Sequence, residues 1–371
     1  MNKPHHQHAA APQNSTLVNV TQLAEFDEVI DVRSEAEFEE DHVPGAVNCP
    51  VLDNAERARV GTIYKQVSAF EARKIGAALA SRNIARHLET RFADRPRDWR
   101  PLVYCWRGGG RSGAFAHVLQ QVGWRAGRLD GGYKAYRRAV IADLHERPPQ
   151  FKWRVICGLT GSGKSRLLRA LAQRGPQVLD LEALAAHRGS VLGNLPGAPQ
   201  PSQKMFESLV WAELRKFDAA HPVWVEAESK KIGSVRVPEA LIAAMWNGEC
   251  IRLDASVSLR VAMLKDEYQH FVSDPVLLGT QLDCLVAHYG QDRIGAWKRL
   301  AGAGKWDALV RELLESHYDP AYTRSTLKHY PHYAKGMQLE VTADSDDAFE
   351  ELAVQCLKTM ALATACAERF W

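Results

Sequence analysis

The sequence lacks the features that mark membrane, secreted and zinc-binding proteins. No stretch approaches the roughly 20 apolar residues that cross a bilayer, and the polar N-terminal segment has no apolar core of the kind found in signal peptides. The seven cysteines are scattered without a CxxC pair, which argues against a disulfide framework and a zinc site. We therefore expect a cytoplasmic protein without a membrane partner, in which residues 1–15 form a disordered leader.

The sequence also has little net charge. Its 47 Lys and Arg residues nearly balance 44 Asp and Glu residues, so the formal charge of +3 neither demands nor excludes a nucleic acid. Any RNA-binding surface therefore has to be local. The length of 371 residues suits two domains. The pattern breaks at Glu146-Arg147-Pro148-Pro149, and we predict one domain over residues 16–145 and another over residues 150–371.

Short apolar segments alternate with helical patterns in both halves, and this alternation predicts parallel α/β sheets. The C-terminal half also contains a long, mainly helical part. The predicted strands include residues 28–32, 101–104, 151–157, 177–180 and 222–226, and the predicted helical regions include 71–87, 112–122, 255–314 and 344–370.

One glycine-rich loop, the cysteine loop, begins with a cysteine and ends with an arginine and a serine: Cys105-Trp106-Arg107-Gly108-Gly109-Gly110-Arg111-Ser112. Backbone N–H groups in such a turn form an anion-binding nest, and the following helix adds its positive N-terminal end. Both features, with Arg107 and Arg111, should lower the pKa of Cys105. We predict a nucleophilic thiolate that can also bind an oxyanion. The alternative is an inert buried cysteine, which we expect for the other six cysteines.

A second loop, Gly158-Leu159-Thr160-Gly161-Ser162-Gly163-Lys164-Ser165, matches the P-loop pattern GxxxxGK[ST] between a predicted strand and a predicted helix. Its backbone N–H groups would contact phosphate oxygens, Lys164 would add a positive charge, and the Ser165 hydroxyl could reach Mg²⁺. The pattern predicts phosphate binding but does not by itself predict nucleotide hydrolysis. The predicted phosphate-binding residues are Gly158, Thr160, Gly161, Ser162, Gly163, Lys164 and Ser165.

Two carboxylates follow the predicted strand at 222–226. Glu226 and Glu228 are one strand period apart and should share a face, where Glu226 could join Ser165 in holding Mg²⁺. Lys230 and Lys231 come next, and they form either cationic phosphate clamps or a solvated turn.

The polar stretch over residues 187–203 could line the same cleft or simply form a surface loop. Its candidate cleft residues are His187, Arg188, Ser190, Gln200 and Gln203.

The stretch between Asp319 and Glu340 has no acidic residue and interleaves basic with aromatic side chains. That mixture suits phosphate contact and base stacking on RNA, although a solvated face is the alternative. The candidate RNA contacts are Arg324, Lys328, Tyr330, Tyr333 and Lys335.

The first half resembles the rhodanese family over roughly residues 15–140. The resemblance implies a rhodanese-like parallel-sheet domain whose loop cysteine carries a persulfide or perselenide. Five residues separate Cys105 from Arg111, one more than in the usual sulfur-transfer loop. Phosphatases that share the fold have this wider spacing, which fits a tetrahedral phosphate-like anion. The motifs that carry the resemblance are Asp31-Val32-Arg33, Glu37-Phe38, residues 42–48, the cysteine loop and Asp130-Gly131-Gly132-Tyr133.

Over about residues 15–335 the chain resembles the tRNA 2-selenouridine synthases, which join a rhodanese domain to a P-loop domain. The shared motifs are Tyr104 with the cysteine loop, His187-Arg188-Gly189-Ser190, Gln200-Pro201-Ser202-Gln203 and residues 226–233. The implied fold is a rhodanese-like domain followed by a P-loop NTPase-like α/β domain with a helical C-terminal part.

The resemblance implies a two-step modification of 2-thiouridine at the anticodon wobble position of tRNA. The sulfur first attacks geranyl diphosphate, and selenium from selenophosphate then displaces the geranylated sulfur. Lys164 would stabilise the departing pyrophosphate, and Cys105 would hold selenium as a perselenide or act electrostatically. These substrates imply a partner that supplies selenophosphate and no tightly bound cofactor.

Two other functions fit the same motifs. One is a rhodanese-type sulfurtransferase fused to an ATP-dependent kinase or ligase, with Glu226 as the hydrolytic carboxylate. The other is a phosphate-sensing regulatory protein whose thiol is redox-active but not catalytic.

Overall fold

The computed structural model describes residues 17–368, with side chains through Met360, so the predicted leader at residues 1–15 lies outside the described residues. The chain divides into two compact units, of which one ends at Ala142 and the other begins at Asp143. No helix among the described residues has the length and apolar character needed to cross a membrane.

The N-terminal unit is built on a five-stranded parallel sheet in the order β1-β5-β4-β2-β3. Its central strand β4 is buried at every position and leads directly into the cysteine loop. The strands are β1 (Leu17–Val18), β2 (Glu28–Asp31), β3 (Val47–Asn48), β4 (Pro101–Tyr104) and β5 (Gly127–Leu129). The helices are α1 (Glu35–Glu40), α2 (Asn54–Gln66), α3 (Ala69–Thr90), α4 (Gly110–Val122) and α5 (Gly132–Glu146), the last of which continues past Ala142.

The C-terminal unit contains a second five-stranded parallel sheet, in the order β12-β11-β6-β8-β7, and a small antiparallel pair, β9 with β10. The P-loop follows the central strand β6. The strands are β6 (Trp153–Cys157), β7 (Gln177–Leu179), β8 (Val223–Glu226), β9 (Lys231–Ile232), β10 (Val235–Arg236), β11 (Glu249–Ala255) and β12 (Met337–Val341). Both sheets confirm the predicted α/β fold class with its helical C-terminal part.

Helices cover the second sheet and form a separate apolar cluster beside it. The helices that precede this cluster in the chain are α6 (Lys164–Ala172), α7 (Leu181–Leu184), α8 (Gln203–Leu214) and α9 (Glu239–Trp246). The helical part then continues with α10 (Val257–Glu267), α11 (Gln269–Ser273), α12 (Pro275–Leu282), α13 (Val286–Gly302), α14 (Trp306–Leu313), a π-helical turn (Leu314–Tyr318), α15 (Asp319–His329) and α16 (Asp346–Glu368).

Candidate functional site

Cys105 lies at the carboxyl end of β4 and is only 4% exposed. Its Sγ is 3.3 Å from the hydroxyl oxygen of Ser112, in the first turn of α4. Burial by itself would raise the pKa of this thiol. Hydrogen bonds from the Ser112 side chain and from the N–H groups of Ser112 and Arg107, with the charge of Arg111, outweigh burial and lower the pKa. The loop therefore makes this thiol more acidic than an ordinary cysteine thiol.

The Asp130-Gly131-Gly132-Tyr133 segment supports the cysteine loop from behind. A Cβ at Gly132, which has φ +57°, would lie 2.3 Å from the carbonyl oxygen of Cys105, so only glycine fits there. The Tyr133 N–H donates to that same carbonyl at 2.8 Å. Behind Tyr133, its hydroxyl donates to Asp41 at 2.7 Å, and the buried Arg33 pairs with Asp31 at 2.6 Å. These contacts attach the motif residues to the back of the cysteine loop.

The two arginines of the cysteine loop have different surroundings. Arg111 pairs with Glu37 at 3.0 Å, and Glu37 also contacts Arg57 at 2.8 Å. Arg107 is exposed at the surface of the loop. Glu37 thus holds Arg111 in position and offsets part of its charge, which leaves Arg107 the more accessible cation for an incoming anion.

The P-loop borders a cleft of about 330 Å³ in the C-terminal unit. Lys164 begins α6, and its Nζ lies 5.6 Å from the centre of the Tyr322 ring and 3.5 Å from the Leu159 carbonyl oxygen. The cleft lining includes the predicted residues Thr160, Gly161, Gly163, Lys164 and Ser165. Gly158 and Ser162 belong to the loop but lie outside this lining, and a Cβ at Gly158 would stand 2.5 Å from Ser162 Oγ.

An ion pair between a buried arginine and a partly exposed aspartate braces the P-loop. Arg260, on α10 and 2% exposed, donates from its Nε to the Thr160 carbonyl oxygen at 2.8 Å. Its guanidinium also forms two hydrogen bonds with Asp319 at the start of α15. The loop conformation is therefore fixed by helices that come about 100 and 160 residues later in the chain, at positions 260 and 319.

Three carboxylates meet beside the P-loop: Glu182, Glu226 and Glu228, with one oxygen of each within 4.8 Å of the others. Burial raises the pKa of Glu226 to about 7, against the opposing influence of Lys164 and a hydrogen bond from Ser165. Burial and the neighbouring Glu226 raise the pKa of Glu228 to about 8, and burial with both neighbours raises that of Glu182 well above its usual range. Gly189 allows this crowding, since a Cβ there would lie 2.6 Å from Glu182 Oε1.

These residues fit a divalent cation. The Glu226 Oε1 atom is buried and has no hydrogen-bond partner, and the hydroxyl of Ser165 contacts the same carboxylate. Hard cations such as Mg²⁺ favour carboxylate and hydroxyl oxygens and would relieve the mutual repulsion that raises these pKa values. Ser165 and Glu226 would hold the ion, with Glu182 and Glu228 nearby.

The other predicted cleft residues divide into two groups. His187, Arg188 and Ser190 line the cleft, where Arg188 lies 4.8 Å from the centre of the Tyr268 ring. Gln200 and Gln203 do not line it.

The amides of Gln200 and Gln203 bind backbone groups instead. Gln200 donates to Ile232 and accepts from the Ser234 N–H, and Gln203 exchanges two hydrogen bonds with the Arg236 backbone. They attach the β9–β10 hairpin to the preceding segment. The prediction that Gln200 and Gln203 face the cleft is therefore wrong.

Lys230 and Lys231 also lie outside the cleft lining. Both are exposed, and Lys230 Nζ sits 5.4 Å from the centre of the Trp246 ring. Of the two alternatives that the sequence left open, the solvated turn describes their placement better than phosphate clamps do.

The predicted RNA contacts are only partly at the surface. Arg324, Lys328 and Lys335 are exposed, and the half-buried ring of Tyr333 lies 5.1 Å from the Arg252 guanidinium. Tyr330 is 4% exposed, and its hydroxyl both donates to and accepts from the backbone of Glu228 at 3.1 Å. This corrects the expectation for Tyr330, which binds the backbone of Glu228 and is too buried to stack on an RNA base.

Several cleft residues were missed by sequence reasoning: Asp180, Glu182, Glu267, Tyr268 and Tyr322. The acidic end of the predicted strand at 177–180 was the one usable signal. Because β7 neighbours β8, residues that follow both strands meet at one edge of the sheet. Nothing local indicated the contributions of α10 and α15.

Two family models match the chain. The model described as the AAA domain of tRNA 2-selenouridine synthase matches residues 151–281, and the rhodanese-like domain model matches residues 16–139. The two matches fall on the segments that contain the P-loop and the cysteine loop respectively.

Curated proteins named tRNA 2-selenouridine synthase are similar over most of the chain. One from Nitrosomonas europaea is 38% identical over 65% of this chain and 63% of its own length. One from Aeromonas salmonicida is 36% identical over 77% of this chain and 76% of its own length. A third, from Bdellovibrio bacteriovorus, is 30% identical over 84% of this chain and 92% of its own length. The match to the first thus spans slightly less than two thirds of that relative.

Proposed function

The chain belongs to the tRNA 2-selenouridine synthase family, and we propose that it replaces the sulfur of 2-thiouridine in tRNA with selenium. The reaction would take place at the anticodon wobble base, through S-geranyl-2-thiouridine, with geranyl diphosphate and selenophosphate as substrates. The observation that supports this most directly is the joining of two anion-binding loops in one chain, one with Lys164 and one with a polarised Cys105.

In the first step, the sulfur of 2-thiouridine attacks C1 of geranyl diphosphate. A C–S bond forms, the C–O bond breaks, the N3 proton of the base passes to water, and pyrophosphate leaves. Lys164 and the N–H groups of the P-loop would stabilise the charge that develops on the leaving group. Bound Mg²⁺ would supply further positive charge there. No ATP is consumed.

In the second step, the selenium of selenophosphate attacks C2 of the geranylated base. The C–Se bond forms and the C–S bond breaks, and the departing geranylthiolate takes a proton from the Cys105 thiol. Water then cleaves the Se–P bond to release phosphate, and Cys105 regains a proton. The lowered pKa makes the Cys105 thiol a stronger acid toward the departing thiolate than an ordinary cysteine thiol would be.

This proposal makes Cys105 an acid and not a selenium carrier. Selenium in selenophosphate is at the selenide level, so forming a perselenide on Cys105 would oxidise it by two electrons, and no substrate supplies an oxidant. A whole-protein mass spectrum after incubation with selenophosphate alone tests the assignment. We expect no gain of one selenium mass, and such a gain on Cys105 would refute the acid role.

For tRNA binding we propose phosphate contacts at Arg324 and Lys328, which are exposed one helical turn apart on α15. The double variant Arg324→Ala, Lys328→Ala should lower the slope of log affinity against log salt by about 1 for each lost contact. An unchanged slope would place the tRNA elsewhere on the molecule.

The whole proposal is tested with 2-thiouridine tRNA, geranyl diphosphate and selenophosphate, each omitted in turn, followed by mass spectrometry of the nucleosides. Selenouridine should need all three, and omission of selenophosphate should leave S-geranyl-2-thiouridine. ATP turnover without any requirement for tRNA or geranyl diphosphate would instead favour a kinase or ligase fused to a sulfurtransferase.

A further inference from the structure

An apolar cavity of about 60 Å³ adjoins the P-loop cleft of the C-terminal unit. Its walls come from α10, α11, α12, α14 and the π-helical turn, and its surface is almost entirely hydrocarbon. Leu278, Trp306 and Leu309 line this cavity without reaching the cleft. Four residues line both spaces: Thr160, Ser190, Leu264 and Tyr268.

We propose that this cavity holds the hydrocarbon tail of a two-unit isoprenoid diphosphate whose phosphates lie on the P-loop. The inference rests on the proposed function, which places an allylic diphosphate on Lys164. It adds the location of the tail, the side chains that hold it and the basis of chain-length selection.

The chemistry of the two spaces favours such an amphiphilic ligand. Backbone N–H groups and Lys164 suit a diphosphate on one side of the shared wall, and leucine and aromatic side chains suit a hydrocarbon on the other. A nucleoside in the cavity would leave the polar groups of its ribose and base without partners, at a high desolvation cost. Buried spaces lined by such side chains stay dry and bind apolar molecules.

The size of the cavity points to a short tail. At roughly 10–15 Å³ for each water-sized unit, it takes about four to six such units. The isoprene unit next to the diphosphate would lie against Leu264 and Tyr268 at the shared wall, and the second unit would enter the cavity. A third unit would meet the far wall. The π-helical turn, a rare element often found at functional sites, also lines the cavity through Leu314 and Tyr318, and the Tyr318 hydroxyl contacts Ser190 at the shared wall.

Two substitutions change the cavity in opposite directions. Leu278→Trp, at a position 4% exposed on α12, fills it. Trp306→Ala, at a half-buried position, enlarges it. Val276→Trp introduces the same side chain two residues from Leu278, but at a position 79% exposed, and serves as the matched control.

Calorimetric affinities of the full chain for geranyl diphosphate, farnesyl diphosphate and inorganic pyrophosphate test the proposal. In the wild type, geranyl diphosphate should bind at least about tenfold tighter than pyrophosphate, a difference that about two buried methylene groups would supply. Leu278→Trp should remove that advantage while pyrophosphate affinity stays within about twofold, and Val276→Trp should keep it. Trp306→Ala should raise the affinity for farnesyl diphosphate relative to geranyl diphosphate.

Equal wild-type affinities for geranyl diphosphate and pyrophosphate would overturn the tail site, as would a geranyl preference that neither substitution changes. If Leu278→Trp fails to fold, the Trp306→Ala result decides alone. Transfer of geranyl to 2-thiouridine tRNA is measured separately. If geranyl diphosphate binds as predicted but geranyl is not transferred, the proposed function is contradicted and the tail site stands. If geranyl is transferred but neither substitution alters binding, the tail site is contradicted and the proposed function stands.

Discussion

The cysteine loop and the P-loop both leave the carboxyl end of a buried parallel strand and lead into a helix. They differ in what their N–H groups face. In the cysteine loop the donors point at a sulfur of the chain itself, Cys105, and lower its pKa. In the P-loop they border an open cleft, and the carboxyl groups of Glu226 and Glu228 beside the loop have raised pKa values.

One local arrangement therefore serves two chemistries, according to which side chain enters it. A thiol placed among the donors becomes a reactive group of the protein. A lysine at the start of the helix, as at Lys164, leaves the donors for the phosphates of a ligand. Glycine-rich geometry alone therefore does not specify the reaction.

The largest effect should come from Lys164→Ala. Removing the cation beside the leaving pyrophosphate should slow geranylation about 100- to 1000-fold, the loss typical of a deleted transition-state donor. Single-turnover geranylation of 2-thiouridine tRNA measures it. Lys152→Ala, at an exposed position of the same unit, should keep the wild-type rate. A loss below about fivefold for Lys164→Ala would mean that this lysine does not stabilise the leaving pyrophosphate, which is the role that separates the P-loop from the cysteine loop.

The next effect concerns the ion pair that braces the P-loop. Arg260→Met leaves Asp319 without its partner and the Thr160 carbonyl without its donor, so it should destabilise the C-terminal unit by about 3 kcal/mol. Urea unfolding measures this loss. Lys216→Ala, which breaks an exposed pair with Glu213, should cost less than about 1 kcal/mol. Similar losses in the two variants would contradict the bracing role of the pair between Arg260 and Asp319.

A cation should stabilise the P-loop cleft in a pH-dependent way. Protons compete with Mg²⁺ for carboxylates whose pKa values are raised to about 7 and about 8, so the gain in Tm from Mg²⁺ should grow as pH rises through this window. We expect about 3 °C at the upper end. Glu226→Gln should reduce the gain and Glu249→Gln, at an exposed position, should preserve it. A gain that is constant with pH would argue against these ligands.

The smallest effect is a change of pKa in the cysteine loop. Ser112→Ala removes a hydrogen bond to the thiolate, so alkylation of Cys105 by iodoacetamide should require higher pH than in the wild type. Peptide mass spectrometry separates Cys105 from the exposed Cys284. Ser165→Ala, in the P-loop, should leave the profile unchanged. A shift to lower pH would contradict the assigned donors.

Local pattern was enough to predict the two loops and the parallel sheets. Strand, loop and helix follow one another directly in the chain there, so the motif contains its own structural context. It was not enough to decide what a polar side chain faces. Glutamine and tyrosine are residue types that often bind ligands, yet the polar atoms of Gln200 and Tyr330 form hydrogen bonds with backbone groups. Long-range packing brings these backbone groups close to the two side chains.

The residues that sequence reasoning missed come from distant segments. Glu182 reaches the cleft because β7 pairs with β8, a pairing that strand patterns do not reveal. The brace at Arg260 and the apolar cavity depend on how the helices after residue 256 pack, and several of those helices are short and separated by breaks. Amphipathic spacing indicates that such helices bury a face, but not which faces meet.

The division of work between the loops is tested most directly by comparing the nucleosides formed by Cys105→Ala and Lys164→Ala on 2-thiouridine tRNA with both small substrates present. Cys105→Ala should accumulate S-geranyl-2-thiouridine without selenouridine. Lys164→Ala should make little of the geranylated base but should convert added S-geranyl-2-thiouridine tRNA to selenouridine. Loss of both steps in each correctly folded variant would contradict this division of work.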